Sequence, residues 1–168
     1  MLLYYTKMTS AERVMTKATL EELLTRKDKS KKELTGLGAG SEGGHQRQAL
    51  HDDPATEDRK NFLRAQIAMI GNLEDVSIIT PSEDLSKADL GCIVELEYED
   101  GFKIKGVLLG PDDAQIARSG EEEKTVEVIS FMSPLGQAIR GQSVGAKVTL
   151  TKPSKQEVKI LSISRANI

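Results

Sequence analysis

The sequence predicts an α+β protein: an N-terminal antiparallel helical hairpin over residues 1–77, a linker over 78–88, and an antiparallel sheet domain with one short helix over 89–168. Three observations predict it. Apolar residues recur at three-to-four spacing at Ala11, Val14, Ala18 and Leu23 or Leu24, and again between Ala55 and Val76. Beyond Leu90 the period changes to two, with Cys92–Tyr98 and Phe102–Leu108 flanking the hairpin signal Glu99-Asp100-Gly101. Finally, Met132–Gly141 reads as a strand end, a capped helix and a stop.

The first helix is expected to start near Thr9 or Ser10, whose hydroxyls suit a cap. Its apolar stripe vanishes between Thr25 and Glu33, where Arg26, Lys27, Asp28, Lys29, Ser30, Lys31 and Lys32 follow one another. Helix propensity allows this run, but nothing in it demands a buried face. Gly36, Gly38, Gly40, Gly43 and Gly44 then argue against a continuous helix, each costing about 1 kcal/mol in a helix interior. Asp52 or Asp53 is a suitable cap before Pro54, where the second helix starts. In that helix Phe62, Met69, Leu73 and Val76 share one face, with Leu63, Ile67 and Ile70 on its flank.

After the linker and the hairpin Cys92–Leu108, Gly110-Pro111-Asp112-Asp113 reads as a loop and Gln115–Arg118 as a short strand. Thr125–Phe131 is the next strand. Ser133 then caps a helix that has Pro134 at its first position and Gly141 as its stop. Leu135, Ala138 and Ile139 fall on one face of that helix and can dock on a sheet. Val148–Leu150 and Glu157–Ile163 close the sheet.

Composition bounds the function. Of 168 residues, 38% are hydrophobic and 4% aromatic, with no tryptophan, which argues against one large core. A net charge of −3 excludes a uniformly basic nucleic-acid binder. Cys92 is the single cysteine, expected as a small buried strand residue, so no internal disulfide and no cysteine-based metal site is expected. No apolar run is long enough to cross a membrane, and Met1–Tyr5 is too short for a signal-peptide core, so a cytoplasmic protein with no membrane partner is expected. His45 and His51 lie in a polar region where nothing fixes a metal geometry. Gly36–Gly44 follows no strand and lacks the Lys-Ser/Thr of a phosphate loop. No Ser or Cys nucleophile motif is present, so no catalytic residue of its own is assigned.

The order Ser133-Pro134, Leu135–Arg140, Gly141, Val144-Gly145 and Lys147–Thr151, with the strand entry Asp89–Val94, resembles the bacterial Gre transcript-cleavage factors (GreA/GreB). Leu20–Leu24 resembles that family's early helix, and Phe62–Ile67 with Asn72-Leu73-Glu74 its return helix. The resemblance implies a coiled-coil hairpin followed by an FKBP-like domain that binds RNA polymerase. It does not imply prolyl isomerase activity. At about 30–35 residues per arm, such a hairpin reaches on the order of 50 Å. In the family the hairpin enters the polymerase secondary channel, and an acidic pair at its tip helps hold a second Mg²⁺ at the polymerase active site. The resemblance thus implies a monomeric transcription elongation factor with no cofactor of its own, sharing that Mg²⁺ and meeting nascent RNA.

By the same resemblance, Met132, Ser133 and Pro134 form the polymerase-binding loop, with Met132 where the family often has a polar residue. Arg26, Lys27, Lys29, Lys31 and Lys32 correspond to its RNA-facing basic patch; an ordinary solvated helix face is the equal alternative. The chain departs from the family at the tip, where Gly-Asp-Leu followed by Glu-Asn is missing. If the arms align without gaps, the turn falls near His45–Asp53 and Gln46 and Ala49 occupy the acidic positions. If the glycine run is the turn, Glu42 is the available acid. Asp52, Asp53 and Glu57 are the other tip candidates, though helix N-capping and dipole pairing around Pro54 is the favoured account of them. Two outcomes therefore stay open: stimulated transcript cleavage, or a divergent channel binder that inhibits or competes without cleavage.

Overall fold

The computed structural model describes residues 13–38, 54–119, 126–151 and 155–168. The fold is mixed α+β, with helices and a mostly antiparallel sheet. The chain divides into two compact units, Leu20–Glu74 and Met1–Thr19 with Asp75–Ile168.

Within Leu20–Glu74, helices α1 (Lys17–Gly38) and α2 (Pro54–Ile70) are joined by side chains. Lys27 Nζ donates to the Gly71 carbonyl, the Ser30 hydroxyl lies 2.8 Å from Gln66 Oε1, and Arg59 forks onto Glu33 at 2.6 and 3.0 Å. Partner numbers fall along α2 as they rise along α1, so the helices run antiparallel. Leu23, Ser30, Leu63 and Ile70 are buried, with Arg26, Lys27, Glu33, Leu34 and Leu37 half-buried on α1 and Thr56, Lys60, Gln66 and Ile67 on α2. That spacing is a heptad-like seam, and much of it is polar. Two expectations are corrected here. The buried face of α2 is the Leu63–Ile70 line, while Phe62 and Met69 are exposed. The run Thr25–Glu33 is helical, as its propensity allows, but it does present a buried position: Ser30, hydrogen-bonded to Gln66.

In the other unit, β3 (Cys92–Tyr98), β4 (Lys103–Leu109), β5 (Glu127–Ser130), β6 (Lys147–Leu150) and β7 (Gln156–Arg165) form a five-stranded sheet in the order β5-β4-β3-β7-β6. The strand pairs β3–β4, β3–β7 and β6–β7 are antiparallel. The β4–β5 pair is parallel, which corrects the all-antiparallel expectation. Parallel neighbours need a crossover, and helix α3 (Pro111–Ser119) supplies it. Pro111–Asp113 of the expected loop and the strand expected at Gln115–Arg118 are thus one helix, with Gly110 before it. Its signals are Pro111 in the first turn and the acids Asp112 and Asp113 beside the positive helix end.

One sheet face carries the main core: Val94, Leu96, Leu108, Ile129, Val148, Leu150, Val158 and Ile160, closed by Ile139 of α4 (Pro134–Ile139). Val107 and Leu109 point to the opposite face and pack with Ile79 and Ala166, against which Val14, Ile93 and Val128 also sit. Val14–Met15 is a strand, β1, paired in parallel with β2 (Ser77–Ile78). The first helix therefore starts at Lys17, not near Thr9 or Ser10, with the Thr16 hydroxyl accepting from the Thr19 amide at 3.2 Å. Thr16 is held in turn by Asp113, whose Oδ1 accepts from the Thr16 amide and hydroxyl at 3.0 and 2.7 Å while its Oδ2 accepts from the Gly110 amide at 3.0 Å. Cys92 is buried.

Candidate partner-docking loop

Strand β5 ends at Ser130, and the chain must turn there to enter α4. Ser133 makes the turn. Its hydroxyl donates to the Ser130 carbonyl at 2.7 Å and accepts from the Gly136 amide at 3.0 Å, so one side chain ties the strand end to the open amide end of the helix. The extended backbone of Ser133 and the proline after it complete an N-cap, as the sequence indicates. At the far end the Gly141 amide donates to the Ala88 carbonyl at 2.7 Å, and the Ala88 amide to the Gln142 carbonyl at 2.8 Å. Gly141 has φ 78°, the left-handed conformation that suits a helix stop.

Between these anchors the loop closes on itself. The Phe131 amide donates to Leu109 O at 2.9 Å, the Met132 amide to Ser130 Oγ at 3.3 Å, and Gln137 Nε2 to the Met132 carbonyl at 2.9 Å. Arg140 pairs with Asp89 at 3.0 Å and lies over the Phe131 ring, 5.5 Å from its centroid. A methionine usually fills a core, yet Met132 is 46% exposed; Pro134 is exposed and Ser133 half-buried. The three sequence-predicted residues thus sit together on a hydrogen-bonded frame. Ser130, Gln137, Arg140 and Asp89, which build the frame, were not among them. The bonds of Ser130 and Gln137 on Met132 end on backbone groups, and Arg140 meets Asp89 across 51 residues, so no local residue pattern signals them.

The basic run divides. Arg26 pairs with Glu22 at 2.6 Å and Lys27 is tied to Gly71, while Lys29, Lys31 and Lys32 are exposed on α1. Of the tip candidates, Glu57 lies in the first turn of α2, with Lys60 at 3.7 Å and Arg64 at 3.1 Å. Glu42, Asp52 and Asp53 lie outside the described residues, as do Gln46 and Ala49. Among the described residues no cluster of three or more His, Cys, Asp and Glu side chains is arranged to hold a metal, and no helix is long and apolar enough to cross a membrane.

Fold and loop together define a mixed α+β protein that presents a preformed surface loop. The family model described as "Transcription elongation factor, GreA/GreB, C-term" matches residues 81–165, which include the loop. The chain is 28% identical over 167 residues to transcription elongation factor GreA 1 of Lactiplantibacillus plantarum, covering 96% of this chain and 97% of that protein. It is 30% identical over 140 residues to transcription elongation factor GreA of Desulfovibrio desulfuricans, covering 82% and 81%. Among solved structures it is similar to GreA factor homolog 1 (Gfh1) of Thermus thermophilus, at 23% identity and a TM-score of 0.36 over 91% of this chain and 99% of that one. The chain belongs to the GreA/GreB family of transcription elongation factors.

Proposed function

We propose that this chain binds RNA polymerase through the loop Met132–Pro134 of an FKBP-like domain and inserts the unit Leu20–Glu74, as a coiled-coil hairpin, into the secondary channel. It there modulates paused or backtracked elongation complexes. The observation that carries this reading is the family match over residues 81–165, within which the Ser133-capped loop falls. The chain works as a cytoplasmic monomer without a catalytic centre of its own. The reacting site, its Mg²⁺ and the nascent RNA belong to the elongation complex. Lys29, Lys31 and Lys32 are the solvent-facing cations placed to meet RNA phosphate, and their attraction falls with salt.

A specific observation favours a second outcome within the same reading. A hard divalent cation takes oxygen ligands, and if the arms pair without gaps, Gln46 and Ala49 stand where the family carries its acidic pair. Glu57 is engaged by Lys60 and Arg64. The reading therefore leans to a channel binder that inhibits or competes with other factors without stimulating cleavage. The experiment is RNA cleavage in defined backtracked complexes with Mg²⁺. Shortening no faster than with polymerase alone, together with displacement of a cleavage-active factor, is expected. Acceleration would restore the cleavage role to Glu42, Asp52, Asp53 or Glu57, and failure to bind polymerase would overturn the reading.

A further inference from the structure

We propose that Ser130 and Gln137 are positioning residues that hold Met132 outward as a rigid apolar anchor, and that the anchor fits an apolar recess on the polymerase surface. This rests on the polymerase-binding reading above. Both backbone polar groups of Met132 are taken, its amide by Ser130 Oγ at 3.3 Å and its carbonyl by Gln137 Nε2 at 2.9 Å. Its neighbours are fixed as well: the Phe131 amide bonds to Leu109 O at 2.9 Å, and the Ser133 amide and hydroxyl reach Ser130 O at 2.9 and 2.7 Å. Three successive residues therefore have their backbone set before any partner arrives, which lowers the ordering cost of docking.

The side chain on this frame is the unusual part. Met132 leaves 46% of its surface in water. A methionine gains free energy only when something covers it, and its unbranched thioether adapts to an irregular recess. Arg140, paired with Asp89 at 3.0 Å, lies over the ring of Phe131, the residue before Met132, at 5.5 Å from its centroid. A partner surface that is flat and charged at this point would leave the thioether no gain.

The test is equilibrium binding of the full chain to bacterial RNA polymerase, with folding of each variant checked by thermal melting. Met132→Gln and Met132→Ala are expected to weaken binding about tenfold, and Met132→Leu to stay within about threefold of the original. Gln137→Ala and Ser130→Ala are expected to weaken it less, and to have no further effect in the Met132→Ala background, because nothing is left to position. Additive losses would overturn the positioning role. Equal binding by the original chain and Met132→Gln would overturn the anchor and leave the polymerase reading standing. No binding by the original chain would overturn both.

Discussion

Gly136 lies where α4 meets the end of β5, and the space there admits no side chain. A Cβ would sit 2.1 Å from the Ser130 carbonyl oxygen and 2.8 Å from the Phe131 Cα, both backbone atoms that cannot swing aside. Moving Gly136 away would also break the bond from its amide to Ser133 Oγ. Gly136→Ala is therefore expected to cost about 1–3 kcal/mol, the range for forced overpacking, against about 1 kcal/mol for Ser133→Ala, which removes only the cap. Thermal melts of the two variants give the comparison; equal losses would mean the crowding is relieved elsewhere. Asp113 makes a second sharp case. It is 4% exposed and its carboxylate accepts from the Thr16 amide, the Thr16 hydroxyl and the Gly110 amide. Asp113→Ala leaves those buried donors without their acceptor, at about 1–3 kcal/mol for each group that water cannot reach. Denaturant titration should show a larger loss for Asp113→Ala than for Asp112→Ala, whose bidentate pair with Arg13 is less deeply buried.

The helix pair α1–α2 raises the same question for an element, because its seam is polar. The Ser30 hydroxyl, 4% exposed, lies between Gln66 Oε1 and the Arg26 carbonyl. Ser30→Ala alone is expected to destabilise the pair by about 1 kcal/mol, whereas Ser30→Ala with Gln66→Leu should be close to neutral, since both partners are then apolar. Helical circular dichroism against temperature measures both, and a double variant worse than the single would refute the account. The Glu33–Arg59 fork adds a pH dependence. The bond from Arg59 holds the Glu33 carboxyl below its usual range, and the bond from Glu33 raises Arg59. A carboxyl whose pKa is lower folded than unfolded contributes stability above about pH 4.3, its unfolded value, and that contribution is lost as pH falls through the folded value. Both groups are open to solvent, Arg59 more than Glu33, so the effect is small and screened by salt. Carbon-detected NMR titration of Glu33 should show the lowered midpoint, and Arg59→Ala should return it towards normal. These elements also show what a sequence can disclose. Strand β3 has the expected bounds, and α4 has its expected cap, because period-two alternation and a Ser-Pro start are local signals. Helix α3 carries local signals in Pro111, Asp112 and Asp113, but Gly110-Pro111 reads equally as a turn, and what settles it is distant: the Asp113–Thr16 bond across 97 residues and the crossover that the parallel β4–β5 pair requires. The face of α2 was misjudged because Phe62 and Met69 are its larger apolar residues, while contact with α1 selects Leu63 and Ile70. At the loop, Ser133 and Pro134 were legible by type. Ser130 and Gln137 were not, since their bonds end on backbone groups that leave no mark in a residue pattern.

Across the whole chain, the two compact units differ in what holds them. Among the described residues of Leu20–Glu74 the buried apolar side chains are Leu23, Leu63, Ile70 and Leu73; Leu34, Leu37 and Ile67 are half-buried, and hydrogen bonds and half-exposed ion pairs make up much of the remaining seam. The sheet unit has apolar clusters on both faces of one sheet, and β3 is hydrogen-bonded to neighbours along both edges. Apolar burial stabilises by roughly 25 cal/mol per Å², while exposed ion pairs contribute about 0–1 kcal/mol each. The helix pair should therefore open at lower free energy than the sheet. Native-state hydrogen exchange is expected to find the Cys92–Tyr98 amides of β3 exchanging only through global unfolding, and the α1 amides from Thr25 to Glu33 through smaller openings that leave β3 protected. Urea should spread the two sets further apart, because the sheet exposes more surface on opening. Matching protection in α1 and β3 at every urea concentration would show one cooperative body and sink this account. If the ranking holds, the loop at Met132 stays formed while the helix pair opens, since the bonds of Ser130, Ser133 and Gln137 that frame it all lie within the sheet unit.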